Sequence, residues 1–310
     1  MAMTGLPTNC RLCPRACGAD RASGERGVCG ADDTLRIARA ALHEWEEPPI
    51  SVGAGSGAVF FSNCPMRCIY CQNAEIACGA HGTQVPPERL PCIYRELRDQ
   101  GAANINLVTP THYLPFVVDS IRQVKREGFD LPFICNTSGY ETVETIRALD
   151  GLVDIYLTDF KYWRAGESDA ALKYSRASEY FQVADAALKA MLENVGMPRF
   201  DSWNGEDRLV SGVVMRHLIL PGRLHDSMRL IGYLWGEYGD SILYSVMNQY
   251  TPLRTFAQAP ELDNRVDDAE YEQLLDYMDA LGMTDYFWQE GGAAEESFIP
   301  AFDSTGVLPG

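Results

Sequence analysis

Positive charge is scarce in this chain of 310 residues: 26 Lys and Arg stand against 43 Asp and Glu, a net charge of -17 at neutral pH. Such a field repels a phosphate backbone, and no basic run interleaved with aromatics relieves it, so nucleic acid and anionic membrane are excluded as partners. Long apolar runs are missing as well. None approaches the roughly 18 to 20 residues that cross a bilayer, and the N-terminus has no basic-then-apolar leader pattern. There is no internal repeat and no low-complexity tract. Ten cysteines are too sparse for a disulfide scaffold in a chain of this length. A cytoplasmic, reducing compartment is therefore expected, where clustered thiols imply metal or redox chemistry.

What is present is ordinary globular composition, 46% hydrophobic and 22% charged, which excludes disorder, collagen and coiled coil. A chain of this size hides roughly 74% of its unfolded surface on folding. Residues 1–50 read as a small cysteine-rich unit, because Cys10-Arg-Leu-Cys13-Pro-Arg-Ala-Cys17-Gly and Gly24-Glu-Arg-Gly-Val-Cys29-Gly are turn-rich with almost no apolar periodicity. Such a knot needs a staple other than a core, and four converging thiols make it a metal site, either an auxiliary iron–sulfur cluster or zinc. Glu46 to Gly57 reads as a linker. Short apolar runs at 58–62, 104–108, 132–135, 153–157, 213–220 and 244–247 then predict strands. Helices are expected between and after them at 87–100, 115–127, 141–149, 179–195, 225–238 and 267–281, with Gly128 and Gly196 as stops. Six strands alternating with helices argue for a parallel α/β sheet over 51–260, followed by a helical extension over 261–310 whose Leu274, Leu275, Met278 and Leu281 form an apolar stripe.

In such sheets chemistry gathers at the carboxyl ends of the strands. The residues there are Asn63 with the following cysteine loop, Thr109-Pro-Thr-His112, Asn136-Thr-Ser-Gly139, Asp159-Phe-Lys161 and Asn248-Gln-Tyr250, with Arg216 and His217 inside the fifth strand. The loop Cys64-Pro-Met-Arg-Cys68-Ile-Tyr-Cys71 holds three thiols and no fourth at a matching distance. Structural zinc closes with four ligands and catalytic zinc favours His or carboxylate. Three thiolates instead suit a four-iron cluster with one iron left open to a small molecule.

This spacing, with Tyr70 just before the last cysteine, resembles the radical S-adenosylmethionine superfamily. The longer stretch from Phe61 to Asn73, together with 104–112, Asn136 to Tyr140 and Arg216 to Gly222, is similar to its branch of pyruvate formate-lyase activating enzyme-like proteins. The resemblance implies a partial (β/α)6 TIM-like barrel, a 4Fe-4S cluster on Cys64, Cys68 and Cys71, and S-adenosylmethionine chelated to the open iron. It further implies reductive cleavage to a 5′-deoxyadenosyl radical, with a small redox protein as electron donor. By the same resemblance Tyr70 would contact the adenine, Asn136, Asp159 and Lys161 would face the cofactor or a nearby cation, and Arg216 would engage the cofactor. Asn136 stands where the branch usually has an acidic residue. The family's Gly-Gly-Glu is replaced by Val108-Thr-Pro-Thr-His, leaving the Thr109 and Thr111 hydroxyls or backbone carbonyls to receive the cofactor's amino group.

The expected activity is oxidoreduction by radical generation on a partner protein, a glycyl-radical enzyme. The alternatives are a small-molecule or peptide substrate, and a non-enzymatic iron–sulfur electron carrier. Gly53 to Gly57 precedes a strand and so is no dinucleotide loop. Asn136-Thr-Ser138 is expected at a buried strand end and is no glycosylation acceptor. His43, His81 and His225 lack ligand spacing. Cys78, Cys92 and Cys135 are expected as small buried hydrophobes.

Overall fold

The computed structural model describes residues 5–164, 169–289 and 300–309. Among these the elements run β1 (Arg36–His43), β2 (Ser56–Phe61), α1 (Ala74–Ala77), β3 (Thr83–Gln84), α2 (Arg89–Asp99), β4 (Ile105–Val108), α3 (Leu114–Arg126), β5 (Phe133–Thr137), α4 (Val143–Arg147), β6 (Ile155–Asp159), α5 (Ala170–Ser175), α6 (Tyr180–Val195), β7 (Arg199–Trp203), β8 (Glu206–Leu218), α7 (Leu224–Tyr238), β9 (Leu243–Met247), α8 (Asp268–Ala280) and β10 (Tyr286–Trp288).

The sheet order is β10-β9-β8-β6-β5-β4-β2-β1-β3, and every neighbouring pair from β2 to β10 is parallel. Consecutive parallel strands laid side by side with helical crossovers curl in one direction, which is the partial β/α barrel expected from the alternation of short apolar runs and amphipathic helices. Strands β2, β4, β5 and β6 are buried almost throughout, as strands covered on both faces require. No described helix is long and apolar enough to cross a membrane.

The structure adds strands that periodicity did not mark. β1 pairs antiparallel with β2, so within residues 1–50 the loop-rich part outside the sheet ends near residue 35. β7 forms an antiparallel hairpin with the first half of β8; its residues are largely exposed and polar, which hid the alternation. There Arg208 lies 3.9 Å above the Trp203 ring and pairs with Asp201. β10 extends the parallel sheet beyond β9. Over 268–280, α8 docks on the barrel's flank, with Leu274 and Met278 buried and the Tyr271 hydroxyl donating to the Val246 carbonyl at 2.8 Å. Cys135 is buried as expected, whereas Cys78 and Cys92 are exposed, the first capping short α1 and the second on the outer face of α2.

Two histidines are locked into the interior as neutral rings. His217 contacts the Phe160 carbonyl through Nδ1 at 2.7 Å and the Ser227 hydroxyl through Nε2 at 2.8 Å. A carbonyl only accepts, so Nδ1 carries the proton and Nε2 accepts from Ser227. Burial pushes its pKa down to about 4, and that of His112 to about 3. A depressed folded-state pKa contributes stability that is complete above the ordinary histidine value and is lost as pH falls through the folded one. The margin by which the wild type exceeds His217→Asn should therefore shrink by about 1.4 kcal/mol per pH unit on going from pH 6.5 towards 4. Urea unfolding of both proteins across that window measures it, and a margin independent of pH would show that His217 is not held neutral.

Candidate metal centre and cofactor cavity

The cysteine loop leaves the end of β2 through a left-handed turn at Asn63, φ +75°, and turns again at Arg67, φ +50°. Non-glycine residues adopt such values only where the surroundings impose them. Here the Asn63 amide donates to the Tyr113 hydroxyl at 3.2 Å, and the Arg67 guanidinium donates to the Cys29 carbonyl at 3.1 Å. The loop's three thiols, Cys64, Cys68 and Cys71, all line one cavity of about 210 Å³. The Met66 amide lies 3.4 Å from Cys64 Sγ, and the Ser175 hydroxyl donates to Cys68 Sγ at 2.9 Å. Burial, and then the neighbouring sulfurs, push Cys64 up to about 11 and Cys71 up to about 12. Thiols this reluctant to ionise are deprotonated by a metal, whose binding then expels their protons. Among the described residues no three Cys, His, Asp or Glu donors are already drawn up as a ligand cage. The donor set itself fits an iron–sulfur cluster: three sulfurs on one short loop, facing one cavity, with N–H and O–H groups directed at two of them.

Tyr70, Asn136, Asp159, Lys161 and Arg216, expected to face the cofactor or a nearby cation, line that same cavity. Asn136 is the penultimate residue of β5, Asp159 closes β6 and Arg216 lies opposite Asp159 on β8. The Arg216 guanidinium joins them, donating from Nε to Asp159 at 3.1 Å, from Nη2 to Asn136 Oδ1 at 2.7 Å, and facing Glu46 Oε2 from Nη1 at 3.2 Å. Lys161 pairs with the other oxygen of Asp159. Burial alone would raise the Asp159 carboxyl, but Lys161 and Arg216 outweigh it and hold the group below its usual range. Gly139 passes so close beneath this layer that a Cβ there would lie 2.2 Å from the Asp159 carbonyl. Tyr70 sits edge-on to Tyr174 and Tyr250, and its hydroxyl meets that of Tyr162 at 2.9 Å. Thr109 and Thr111 part company: Thr109, at φ +58°, lines the cavity, whereas the buried Thr111 donates to Glu141 at 3.1 Å.

Sequence reasoning missed Glu46 and Glu47, which lie in the presumed linker yet are almost wholly enclosed by the barrel; two acidic residues before a Pro-Pro pair look like exposed turn. It also missed Tyr162 and Ser175, whose hydroxyls meet at 2.5 Å and continue to Cys68.

The four N-terminal cysteines come together on two loops. The first is closed by Cys10 N–H to the Ala19 carbonyl at 3.0 Å and Gly18 N–H to the Cys10 carbonyl at 3.1 Å. A Cβ on Gly27 would lie 3.3 Å from Cys17 Sγ and 3.4 Å from Cys29 Sγ. Burial, and further down the neighbouring sulfurs Cys29 and Cys10, push Cys13 up to about 12. This unit is fastened to the cluster loop. Arg15 donates to the carbonyls of Pro65 at 3.0 Å, Met66 at 3.3 Å and Ser175 at 2.7 Å, and buried Arg21 joins the Asp32 and His112 carbonyls. Gly30 lets the two loops touch, since a Cβ there would stand 2.6 Å from Asn63 Oδ1.

Residues 53–177 match the family described as a 4Fe-4S single cluster domain. The matched segment is similar to an iron–sulfur cluster domain. The match spans the cysteine loop and the ends of β4, β5 and β6. The chain is also 26% identical over 277 residues to an uncharacterised protein of Methanocaldococcus jannaschii, covering 86% of this chain and 73% of the other. Among solved structures it is similar to Streptococcus suis SuiB bound to the precursor peptide SuiA, at a TM-score of 0.48 and 12% identity over 74% of this chain, which spans 47% of that protein. A probable 2-pyrone-4,6-dicarboxylic acid hydrolase of Acinetobacter baumannii is matched at a TM-score of 0.29 and 10% identity, covering 86% of this chain and 88% of that one.

Arg216 answers Asp159, Asn136 and Glu46 at once, so removing its charge strands buried acceptors from three elements. Arg216→Gln should cost about 3–5 kcal/mol of unfolding free energy, the loss typical when one partner of a buried ion pair is deleted. Denaturant titration of the metal-free chain reads this directly, and a loss under about 1 kcal/mol would show that the acceptors are satisfied by other groups.

Proposed function

We propose that the protein is a radical S-adenosylmethionine enzyme whose cluster is held by Cys64, Cys68 and Cys71. The observation that carries this reading is that three thiols, not four, open onto the same cavity as Tyr70, Asn136, Asp159, Lys161 and Arg216 at the carboxyl ends of consecutive strands. When bound, the cluster supplies one electron, taken from a small redox protein, to the sulfonium of S-adenosylmethionine, so that a C–H bond of the substrate is broken by a carbon-centred radical. The chain's own residues bind and orient. Lys161 and Arg216 present cationic donors to a carboxylate-bearing ligand. The Tyr70 ring offers a flat apolar face, and Thr109 with the strand-end carbonyls offers acceptors to an amino group. The tyrosines around Tyr70 keep water from the reacting region.

As the branch resemblance implies, the target is a glycyl residue of a partner enzyme. A small molecule or peptide is the second reading, favoured by an adjoining cavity of about 360 Å³ that would hold one. A plain electron carrier would have no use for either cavity. Cys10, Cys13, Cys17 and Cys29 are proposed to hold a second centre, an auxiliary iron–sulfur cluster or zinc.

Anaerobically reconstituted protein, given S-adenosylmethionine and a strong reductant, should release 5′-deoxyadenosine. Replacing any one of Cys64, Cys68 or Cys71 by Ala should abolish that release, because losing one of three ligands destroys the site rather than weakening it. Turnover retained in all three variants would rule out the assignment. A glycyl-radical resonance on an added partner would favour the first target, deoxyadenosine without it the second. The N-terminal centre is read separately, by metal analysis of a chain lacking Cys64, Cys68 and Cys71. Residual iron with sulfide means a cluster, stoichiometric zinc a structural site, and a folded protein with neither excludes a metal there.

A further inference from the structure

The second cavity, about 360 Å³, opens from the first across Asn136 and Arg216, which line both. Its floor is the turn after β1, which brings two carboxylates inside the barrel. Glu46 is fully engaged: its Oε1 accepts from the Asn106 amide at 2.8 Å and its Oε2 faces Arg216 at 3.2 Å. Glu47 is not. It is 8% exposed and its Oε2 is buried without a hydrogen-bond partner, with Arg216 acting on it only through its charge and Ser245 beside the carboxylate. The Glu47 carbonyl accepts from the Ile50 and Ser51 amides at 2.8 and 3.1 Å, which fixes the backbone that carries this side chain.

The charges lining the two cavities do not balance. Three carboxylates, Glu46, Glu47 and Asp159, meet two cations, Lys161 and Arg216. Lys161 pairs with Asp159, and Arg216 hydrogen-bonds Asp159 and faces Glu46 while acting on Glu47 through its charge alone, so two positive charges answer three negative ones. The described residues lining these cavities therefore carry one buried carboxylate more than their Lys and Arg side chains offset, and Glu47, which no cation hydrogen-bonds, is the carboxylate in excess; such a group is costly unless something compensates it. Burial raises the Glu47 carboxyl for the same reason. At the mouth stand two indoles, Trp45 at 64% and Trp288 at 52% exposure, with Phe287 further along the wall. Exposed aromatic faces before a buried carboxylate are the combination that recognises an organic cation.

We propose that this cavity binds the cationic end of the substrate, an alkylammonium or guanidinium group, with Glu47 as its counter-ion and the Trp45 and Trp288 rings as its rim. The assignment rests on the first cavity being the cofactor's, and it gives the second its substrate class. An ammonium or guanidinium restores neutrality and donates to the orphaned Oε2, whereas a neutral or anionic group does neither.

The test is anaerobic calorimetric titration of the full-length, cluster-loaded protein with S-adenosylmethionine present. The probes are agmatine, n-butylammonium, 1-butanol, butyrate and potassium ion. Agmatine and n-butylammonium should bind saturably, at least tenfold more weakly to Glu47→Gln and several-fold more weakly to Trp288→Ala, whose exposed position makes misfolding improbable. Equal binding by 1-butanol, butyrate or potassium ion, or unchanged binding of the organic cations to both variants, would overturn the proposal. So would a Glu47→Gln variant that loses affinity for S-adenosylmethionine alone, since Glu47 would then face the cofactor. Deoxyadenosine measured on the same samples separates the two levels. Its release without cation binding ends this inference and leaves the radical reading standing; its absence ends the radical reading and, with it, the substrate class assigned here.

Discussion

The site depends on one guanidinium. Arg216 reaches from β8 to the ends of β5 and β6 and to the turn after β1, so a single planar group with fixed donor directions sets the spacing of four segments. A lysine could not do this, because its donors rotate about one point and it cannot answer acceptors on several sides in a plane. The arrangement also divides the barrel interior. On one side lie the cysteine loop and Tyr70, on the other the two glutamates and the aromatic mouth. A group that fixes strand ends and separates two ligand spaces couples them, since any ligand drawing on Arg216 from one side alters what it offers to the other.

A second set of arginines does for the N-terminal unit what Arg216 does for the barrel. Arg15 and Arg67 carry hydrogen bonds between the loop of Cys10 to Cys29 and the loop of Cys64 to Cys71, and Arg21 ties the unit to the segment after β4. These bonds end on backbone carbonyls, so they fix the paths of both loops rather than the rotamers of side chains. Loops with φ above zero at Asn63 and Arg67 hold strain that such contacts compensate. Loss of order in either cysteine unit would reach the other through contacts shorter than one side chain.

Much of this was legible in the sequence, for identifiable reasons. The six strands placed by short apolar runs and the helices placed by amphipathic stretches all appear, because a parallel sheet covered on both faces demands those patterns. The cysteine loop and the polar strand ends were found because topology puts them at one rim, and the structure does bring Cys64, Asn136, Asp159, Lys161 and Arg216 to one cavity. What escaped had no period to betray it. β7 is largely exposed and joins β8 through the exposed Glu206 and Asp207, and β10 is three residues long. Glu46 and Glu47 look like surface in any one-dimensional reading. Only the fold shows β1 returning beside β2 and delivering them into the interior, where their charge acquires a meaning that composition cannot assign.

Three thiolates are proposed to leave one iron of a four-iron cluster open to S-adenosylmethionine. Pulsed electron–nuclear double resonance on the reduced, reconstituted protein, with the cofactor labelled with nitrogen-15 at its amino group and oxygen-17 at its carboxylate, interrogates that open iron without requiring any substrate. Hyperfine coupling of both labels to the cluster of Cys64, Cys68 and Cys71 is the expected result. A fully loaded cluster whose spectrum is unchanged by the labelled cofactor, at concentrations where the cofactor is bound, would contradict it.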